Sequence, residues 1–501
     1  SDSNTITYKT DQRKSMDKTQ VIFGNEIDSK TIRAAYKQQK KFLKKFGDDR
    51  NTKYHLAAVD HPVLTPAFGG KLLVLSENPM ETLPEKPVII GNIRMGFGHY
   101  RISMAFASVA HKMGYTPLWF DLNSFPETLC TKIISYQNDL YSMGSRLSQK
   151  FPLFNKLVWE DLNYEGFKKL TYNAKDQAVS ELMTPLFTDF LKDTPYIATH
   201  VWPSQAAVHA GMTKVVNAIP DNWPMALHLS EGALHTIQTY SSYIGYKNLR
   251  GFDKNRLLKP MKDSDILYTG HYIDAEMTDN IEEDCKKRMN RIENGKPVRF
   301  LLTVGGAGAQ GEFFAKIINT LLPYIKENKA TLYVNVGDYK GVWDKFLTTI
   351  PELENLKKAD RLTEHFDNWD DTKAFAQKEL DADKTTGEIH AFWHKDIFAA
   401  VYATNLLIRC SDVLVTKPSE LAFYPVPKLH IRRVGGHEMW GAIHSSEIGD
   451  GTPEIPDAEE AGLMAQRFIT DKSLLSSMCS AIIKNKAQGI YSGCNVILES
   501  F

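Results

Sequence analysis

The sequence predicts two doubly wound α/β domains facing one another, preceded by an N-terminal extension of about 85 residues. Three observations predict this arrangement. A strand, glycine turn, helix and second strand occupy residues 88–122, and the same succession recurs at 298–336. So short a strand–helix–strand unit implies parallel pairing, because the helix is the crossover that parallel strands require. The third observation is length: 501 residues exceed what one ordinary hydrophobic core organises. The expected bounds are 1–85 for the extension, 86–280 for the first domain and 281–501 for the second, with the last helix crossing back.

Each element follows from local pattern. Residues 1–20 are polar and read as a disordered tail. Ile32, Tyr36 and Phe42 or Leu43 share one face of a basic helix over 29–46. A solvated amphipathic helix is the plain reading of it, and contact with an acidic membrane is the other. Residues 47–86 are turn-rich and close on LPEKP. VIIGNI (88–93) is a strand, and Ile102, Phe106, Val109 and Met113 then make a helical stripe that Gly114 stops before the strand TPLWFDL (116–122). PYIATHV (195–201), KVVNAIPD (214–221) and ILYTG (266–270) are further strands of this half. The polar stretch 282–297 is expected to separate the halves. VRFLLTV (298–304), the turn GGAGAQG (305–311), a helix with Phe314, Ile318, Leu321 and Ile325 on one face, and TLYVNV (331–336) open the second half. DVLVT and KLHIRR, bracketing a short helix ended by Pro425 and Pro427, are strands near its close.

Composition narrows the function classes. A hydrophobic fraction of 43% is globular, and 60 basic against 60 acidic side chains give no global attraction to nucleic acid. Five scattered cysteines without a CxxC pair fit a reducing compartment and argue against structural zinc. No apolar run reaches the ~20 residues that cross a bilayer, and the N-terminus lacks a secretory apolar core. A soluble, cytoplasmic protein is the expectation.

Glycine turns after strands carry the chemistry. Gly96-Phe97-Gly98 delivers His99 to a helix start, where unpaired N–H groups disfavour imidazolium. A helix-capping histidine without chemistry is the alternative. GGAGAQG suits a diphosphate, although such turns also serve close packing. Gly306, Gly308 and Gly311 also satisfy G-x-G-x-x-G, which leaves NAD binding open, with Gly337-Asp338 closing the next strand somewhat late for a ribose carboxylate. Lys417-Pro418-Ser419 leads into a short helix that Ser419 can cap, with Glu420 in its first turn. Gly435-Gly436 presents His437 and Glu438 after the following strand. Lys417, Glu420 and Glu438 thus reach one carboxyl edge of a sheet, where open α/β sheets bind ligands. Glu420, with no obvious partner there, can accept two ribose hydroxyls or stand as a solvated cap.

Three blocks in order resemble one family. The Gly96/Gly98/His99 turn is similar to a G-x-G-H loop; TPYIATHVWPS (194–204), NAIPDNWP (217–224) and YTGHYID (268–274) are similar to its middle strand ends; and TVGGAG (303–308) with SDVLVTKPSELAFYPVPKL (411–429) is similar to its last block. Together, over about residues 86–470, they resemble the GT-B nucleotide-sugar glycosyltransferases of the group of monogalactosyldiacylglycerol synthase, processive diacylglycerol glucosyltransferase and MurG. Only Pro418-Ser419 stand where the family has a longer glycine-rich loop, Pro425 replaces a glycine, and the leader has no counterpart.

The resemblance implies two Rossmann-like domains and inverting transfer of a hexosyl group from a nucleoside diphosphate sugar, UDP-linked in the family, to an acceptor hydroxyl. His99 would be the base, with Asp221 orienting it or contacting the acceptor; a plain turn aspartate is the other reading. The donor would meet Gly305, Gly306, Ala307, Gly308, Lys417, Ser419, Glu420, Gly436, His437 and Glu438, and the acceptor side Gly96, Phe97, Gly98 and His200. No metal and no cofactor beyond the sugar nucleotide are implied. The family suggests a lipid-linked acceptor and membrane-surface contact, for which the aromatic-rich stretch 223–246 is a candidate. Three competing readings are a nucleotide-sugar 2-epimerase of the same shape, a catalytically degenerate nucleotide or sugar sensor, and a dehydrogenase.

Overall fold

A computed structural model describes residues 17–150, 166–305 and 310–501. The hairpin β1 (Val21–Ile22) and β2 (Asn25–Glu26) leads into helix α1 (Ser29–Phe46), whose first turn Asp28 caps by accepting from Thr31 N–H. Eight strands form the first sheet: β3 (His55–Val59), β4 (Lys71–Ser76), β5 (Pro87–Asn92), β6 (Thr116–Asp121), β7 (Tyr196–Ala198), β8 (Val215–Ala218), β9 (Leu234–Ile237) and β10 (Ile266–Tyr268). Their spatial order is β10-β9-β8-β7-β5-β6-β4-β3, parallel except for the β3–β4 pair. Six parallel strands form the second: β11 (Val298–Thr303), β12 (Ala330–Asn335), β13 (Leu362–Phe366), β14 (Ile389–Trp393), β15 (Val413–Thr416) and β16 (Lys428–His430), in the order β13-β14-β12-β11-β15-β16.

The fully buried runs of β5, β11, β12 and β15 explain why these strands read as continuous apolar stretches rather than alternating ones. Helices that matter below are α2 (Gly98–Lys112), α3 (Leu129–Lys150), α4 (Leu170–Ser180), α5 (Val201–His209), α6 (Gly311–Lys326), α7 (Trp369–Asp381), α8 (Ile397–Cys410), α9 (Met439–Glu447) and α10 (Gly493–Glu499). Phe314, Ile318, Leu321 and Ile325 of α6 are all buried against the second sheet.

Two expectations change. The segment set apart as an extension supplies β3 and β4 to the edge of the first sheet, and Leu56 and Leu73 sit in that lobe's core with Leu118. Its apolar face needs the sheet, so it does not stand alone. The polar stretch 282–297 is mostly a helix, Ile281–Glu293, seated on the second lobe through Ile281, Cys285 and Ile292. The expected tail lies largely outside the described residues.

Both sheets change direction at one place. Strand β5 lies between β6 and β7, and β11 lies between β12 and β15, so each sheet opens a crevice at the carboxyl ends of its central strands. The lobes meet there through an apolar cluster in which Tyr100, Met104 and Phe106 of α2 pack with Phe398, Val401 and Tyr402 of α8 and with Ile497 and Leu498 of α10. Helix α10 returns to the first lobe, and Gly493 N–H donates to His271 C=O at 2.9 Å.

Candidate functional site

The turn after β5 is built for close approach. Gly96 takes a left-handed φ of +79°, and the Phe97 ring then reaches the opposite lobe, where a Cβ on Gly337 would lie 2.6 Å from its Cζ. Arg94 beside it pairs with Asp338 at 2.8 Å. Gly98 opens α2, and a Cβ there would lie 3.1 Å from Glu420 Oε2. The two lobes therefore touch at the start of α2.

His99 occupies the first turn of α2, with its Nδ1 2.7 Å from Thr199 C=O at the end of β7. A carbonyl only accepts, so Nδ1 carries the proton and Nε2 keeps its lone pair. Burial pushes this imidazole below its ordinary value by more than the Thr199 carbonyl and Asp221 raise it, so the ring is neutral at pH 7. His200 packs against it, ring centroids 4.9 Å apart, and its Nδ1 accepts from Trp202 N–H as the cap of α5. Burial, with the neighbouring His99 and His228 rings, holds His200 well below its usual value.

Asp221 does not orient His99. Its Oδ2 accepts from His228 Nε2 at 2.8 Å, and its Oδ1 lies 3.9 Å from Nε2 of His437, which comes from the opposite lobe. Burial raises this carboxyl, but His437 and His228 together pull it well below the usual carboxylate range. Thr199 C=O fixes the His99 ring instead, because β5 and β7 are neighbours in the sheet and their ends meet. Among the described residues no group of three or more His, Cys, Asp and Glu side chains is disposed to hold a metal ion.

The second lobe supplies the other wall. A Cβ on Gly305, the second residue after β11, would lie 3.7 Å from Lys417 Cε, which brings the two central strand ends together. Gly306, Ala307 and Gly308 lie outside the described residues. Lys417 stands 3.8 Å from Glu438, whose attraction raises the ammonium more than burial lowers it. Glu438 also accepts from Gly435 N–H at 2.8 Å, folding the Gly436–Glu438 turn so that His437 points toward Asp221. Tyr141 of α3 lies within electrostatic reach of Glu438 and Lys417.

Glu420 has a partner after all. Arg101 Nε of α2 donates to its Oε1 at 3.2 Å, and the same guanidinium, 3% exposed, donates to Val401 C=O and Asn405 Oδ1 of α8. Burial raises Glu420, but Arg101 and Lys417 lower it further, so it stays ionised. The element after Ser419 is a single 3-10 turn, Glu420–Phe423, and Ser419 makes no side-chain cap to it. Pro425 and Pro427 leave no length for an α-helical cap to form.

Sequence reading missed Arg101, His228 and the interlobe stack of Trp223 on Trp440, whose ring centroids are 4.2 Å apart and 10° from parallel. Arg101 follows His99 by two residues, which was its only signal. An open groove of about 410 Å³ lies elsewhere, along β3 and the 76–84 loop, and its lining holds no titratable side chain but Lys71. The titratable side chains described above gather instead at the lobe junction. There a neutral imidazole with a free Nε2 can take a proton, and an ammonium and a strand-end amide can meet an anion.

No curated protein matches the chain. Among solved structures, a UDP-GlcNAc 2-epimerase from Neisseria meningitidis bound to UDP-GlcNAc is similar at 12% identity, covering 83% of this chain and 99% of its own, with a TM-score of 0.45. An α,α-trehalose 6-phosphate synthase from Burkholderia multivorans is similar at 11% identity, covering 83% and 97%, with a TM-score of 0.41. Likeness of this degree assigns neither substrate nor reaction to this chain. Two family models divide it: residues 21–248 match DUF6937 and residues 261–500 match DUF6938, each described as a domain of unknown function, so that β10 of the first sheet falls within the second match.

Proposed function

We propose that the protein transfers a glycosyl group from a nucleoside diphosphate sugar to an acceptor hydroxyl. The observation that carries this reading is the His99 ring: its tautomer is fixed by Thr199 C=O, it is neutral, and its free Nε2 stands where the two sheets' central strands converge. The acceptor O–H gives its proton to Nε2 as the acceptor oxygen bonds the anomeric carbon. The bond from that carbon to the diphosphate breaks, and its electron pair leaves on the β-phosphate oxygen. Lys417 and the Gly305 end of β11 are the groups of the opposite wall suited to that departing charge. Inversion follows from attack on the face opposite the leaving group.

The order of groups also supports the three sequence blocks that resemble GT-B glycosyltransferases. Glu420 enters this reading with a changed role. Its carboxylate pairs with Arg101, so a ribose would share it with the guanidinium rather than meet it free.

His99→Ala is expected to lower kcat by about a hundredfold or more while leaving UDP affinity, measured by calorimetry, close to the parent's. Failure of the parent to bind any nucleoside diphosphate or its sugar in a thermal-shift series would remove the reading. A second reading, epimerisation of the sugar nucleotide without an acceptor, is favoured by the closed seam of Phe97 on Gly337 and Trp223 on Trp440. Incubating the protein with sugar nucleotide alone separates the two: an epimerised nucleotide sugar supports the second, and an unchanged one the first.

A further inference from the structure

Helix α1 presents a basic face on the outside of the first lobe. Lys30, Arg33, Lys37, Lys40, Lys41, Lys44 and Lys45 are all exposed, and the helix contains no acidic residue. At 100° per residue they fall within an arc of about 140°, one continuous stripe along ~22 Å of axis. Among the described residues none of them enters a salt bridge; Lys45 rests over the Tyr136 ring at 3.8 Å. The opposite face, with Ala35 and Phe42 buried and Gln39 Nε2 donating to Ala178 C=O at 2.6 Å, fastens the helix to the lobe. The chain as a whole carries no net charge, so this stripe is a local concentration.

A second surface adjoins its start. The β1–β2 hairpin just before α1 is tied to the 253–259 loop: Arg256 donates to Glu26 C=O, and Asn25 Nδ2 donates to Lys259 C=O at 3.1 Å. From this loop Leu257 projects with 98% of its surface exposed, between Arg256, which pairs with Asp253 at 2.8 Å, and, two residues on, exposed Lys259. A single exposed leucine is ordinary on a protein surface, but this one stands beside the basic stripe, as an apolar side chain that a membrane interface can receive.

We propose that this ridge docks the protein on an anionic lipid bilayer, the α1 stripe lying along the headgroups and Leu257 entering them. The apolar residues of α1 are committed to the lobe, so attachment is mainly electrostatic, reversible and salt-sensitive. Lipid is favoured over nucleic acid for two reasons. Six of the seven charges on α1 are lysine ammonium groups, without the planar forks that grip phosphates bidentately. Leu257 has no counterpart on a phosphate backbone but partitions into a bilayer interface. The proposal stands whether or not His99 acts as a base.

Sedimentation of the full chain with vesicles tests it. The parent should pellet with vesicles of phosphatidylcholine containing about one-third phosphatidylserine, stay in solution with phosphatidylcholine alone, and be released by ~0.5 M salt. Lys37→Glu/Lys40→Glu/Lys41→Glu/Lys44→Glu should lose affinity by about a hundredfold or more, with an unchanged melting temperature because these side chains are exposed. Leu257→Asp should weaken binding and leave its salt dependence intact. Equal pelleting with both vesicle types, or none with the anionic ones, overturns the proposal without any variant. So does tighter binding of a single-stranded RNA than of the anionic vesicles, lost in the same fourfold variant, which assigns the ridge to nucleic acid.

Discussion

Arg101 and Glu420 are 319 positions apart, on different lobes, and their pairing is where the junction is electrostatically closed. Asn405, which accepts from Arg101, also donates to buried Asp274, so the guanidinium anchors a polar strand inside an otherwise apolar seam. Removing one partner of a buried pair strands the other charge, which costs about 3–5 kcal/mol, whereas replacing both with apolar groups recovers most of that. Arg101→Met and Glu420→Leu should each destabilise by that amount in urea unfolding at neutral pH, and the double variant by much less. Additive losses in the double variant would show that the two side chains act separately. The places of His99 and Lys417 at strand ends were legible in sequence because each follows an apolar run, His99 through a glycine turn and Lys417 directly. Arg101, and the capture of Asp221 by His228 rather than His99, were not, since each depends on which strand ends the sheet order brings together.

Strand β13, at the edge of the second sheet, and its neighbour β14 show the same limit for whole elements. His365 and His390 point inward, Nε2 to Nδ1 at 3.0 Å, with Asp371 at 2.8 Å from one ring and Glu388 at 2.8 Å from the other. Two buried histidines interrupt the apolar alternation of LTEHF and IHAFW, so neither segment carries a strand signature, although their parallel pairing is regular. Strands β3 and β4 escaped for another reason: they form an antiparallel hairpin in a turn-rich stretch, outside the strand–helix–strand repeat. By contrast β5, β11, β12 and β15, buried on both faces, were readable from composition alone. The histidine chain also makes stability depend on acid. The His390 hydrogen bond and then Lys384 lower Glu388 from 4.5 to about 2, against the opposing effect of burial. A carboxyl depressed on folding binds its proton more weakly in the folded state, so its stabilisation is complete above 4.5 and is lost as pH falls toward about 2. Glu388→Gln should therefore melt lower than the parent at about pH 6 and show a smaller further drop by about pH 3. Parallel melting curves against pH for the two proteins would refute the coupling.

At the scale of the whole molecule, the separate cores of the two lobes raise the question of what makes them one unit. Phe398 is central to the answer. Its ring lies 5.4 Å from Tyr100, 5.0 Å from Trp119 and 4.5 Å from His61, three groups of the first lobe, while its own helix α8 supports the second sheet. His61 continues the contact by pairing with Asp396, the cap of α8, at 3.1 Å. An aromatic side chain deleted from so closed a site costs about 3–5 kcal/mol. Here that loss falls on the face of the first sheet that α8 covers, and so on the docking of the lobes. The parent is therefore expected to unfold in one calorimetric transition and Phe398→Ala in two, each lobe melting on its own core. The same variant should lose turnover although every residue named at the site is still present. Asp221 and His437 stand 3.9 Å apart only while the lobes are docked, and so does Arg101 against Glu420. A Phe398→Ala protein that kept one transition and full activity would place the coupling elsewhere, in the Trp223–Trp440 stack or in the return of α10, where Trp440→Ala and truncation before Gly493 are the corresponding variants.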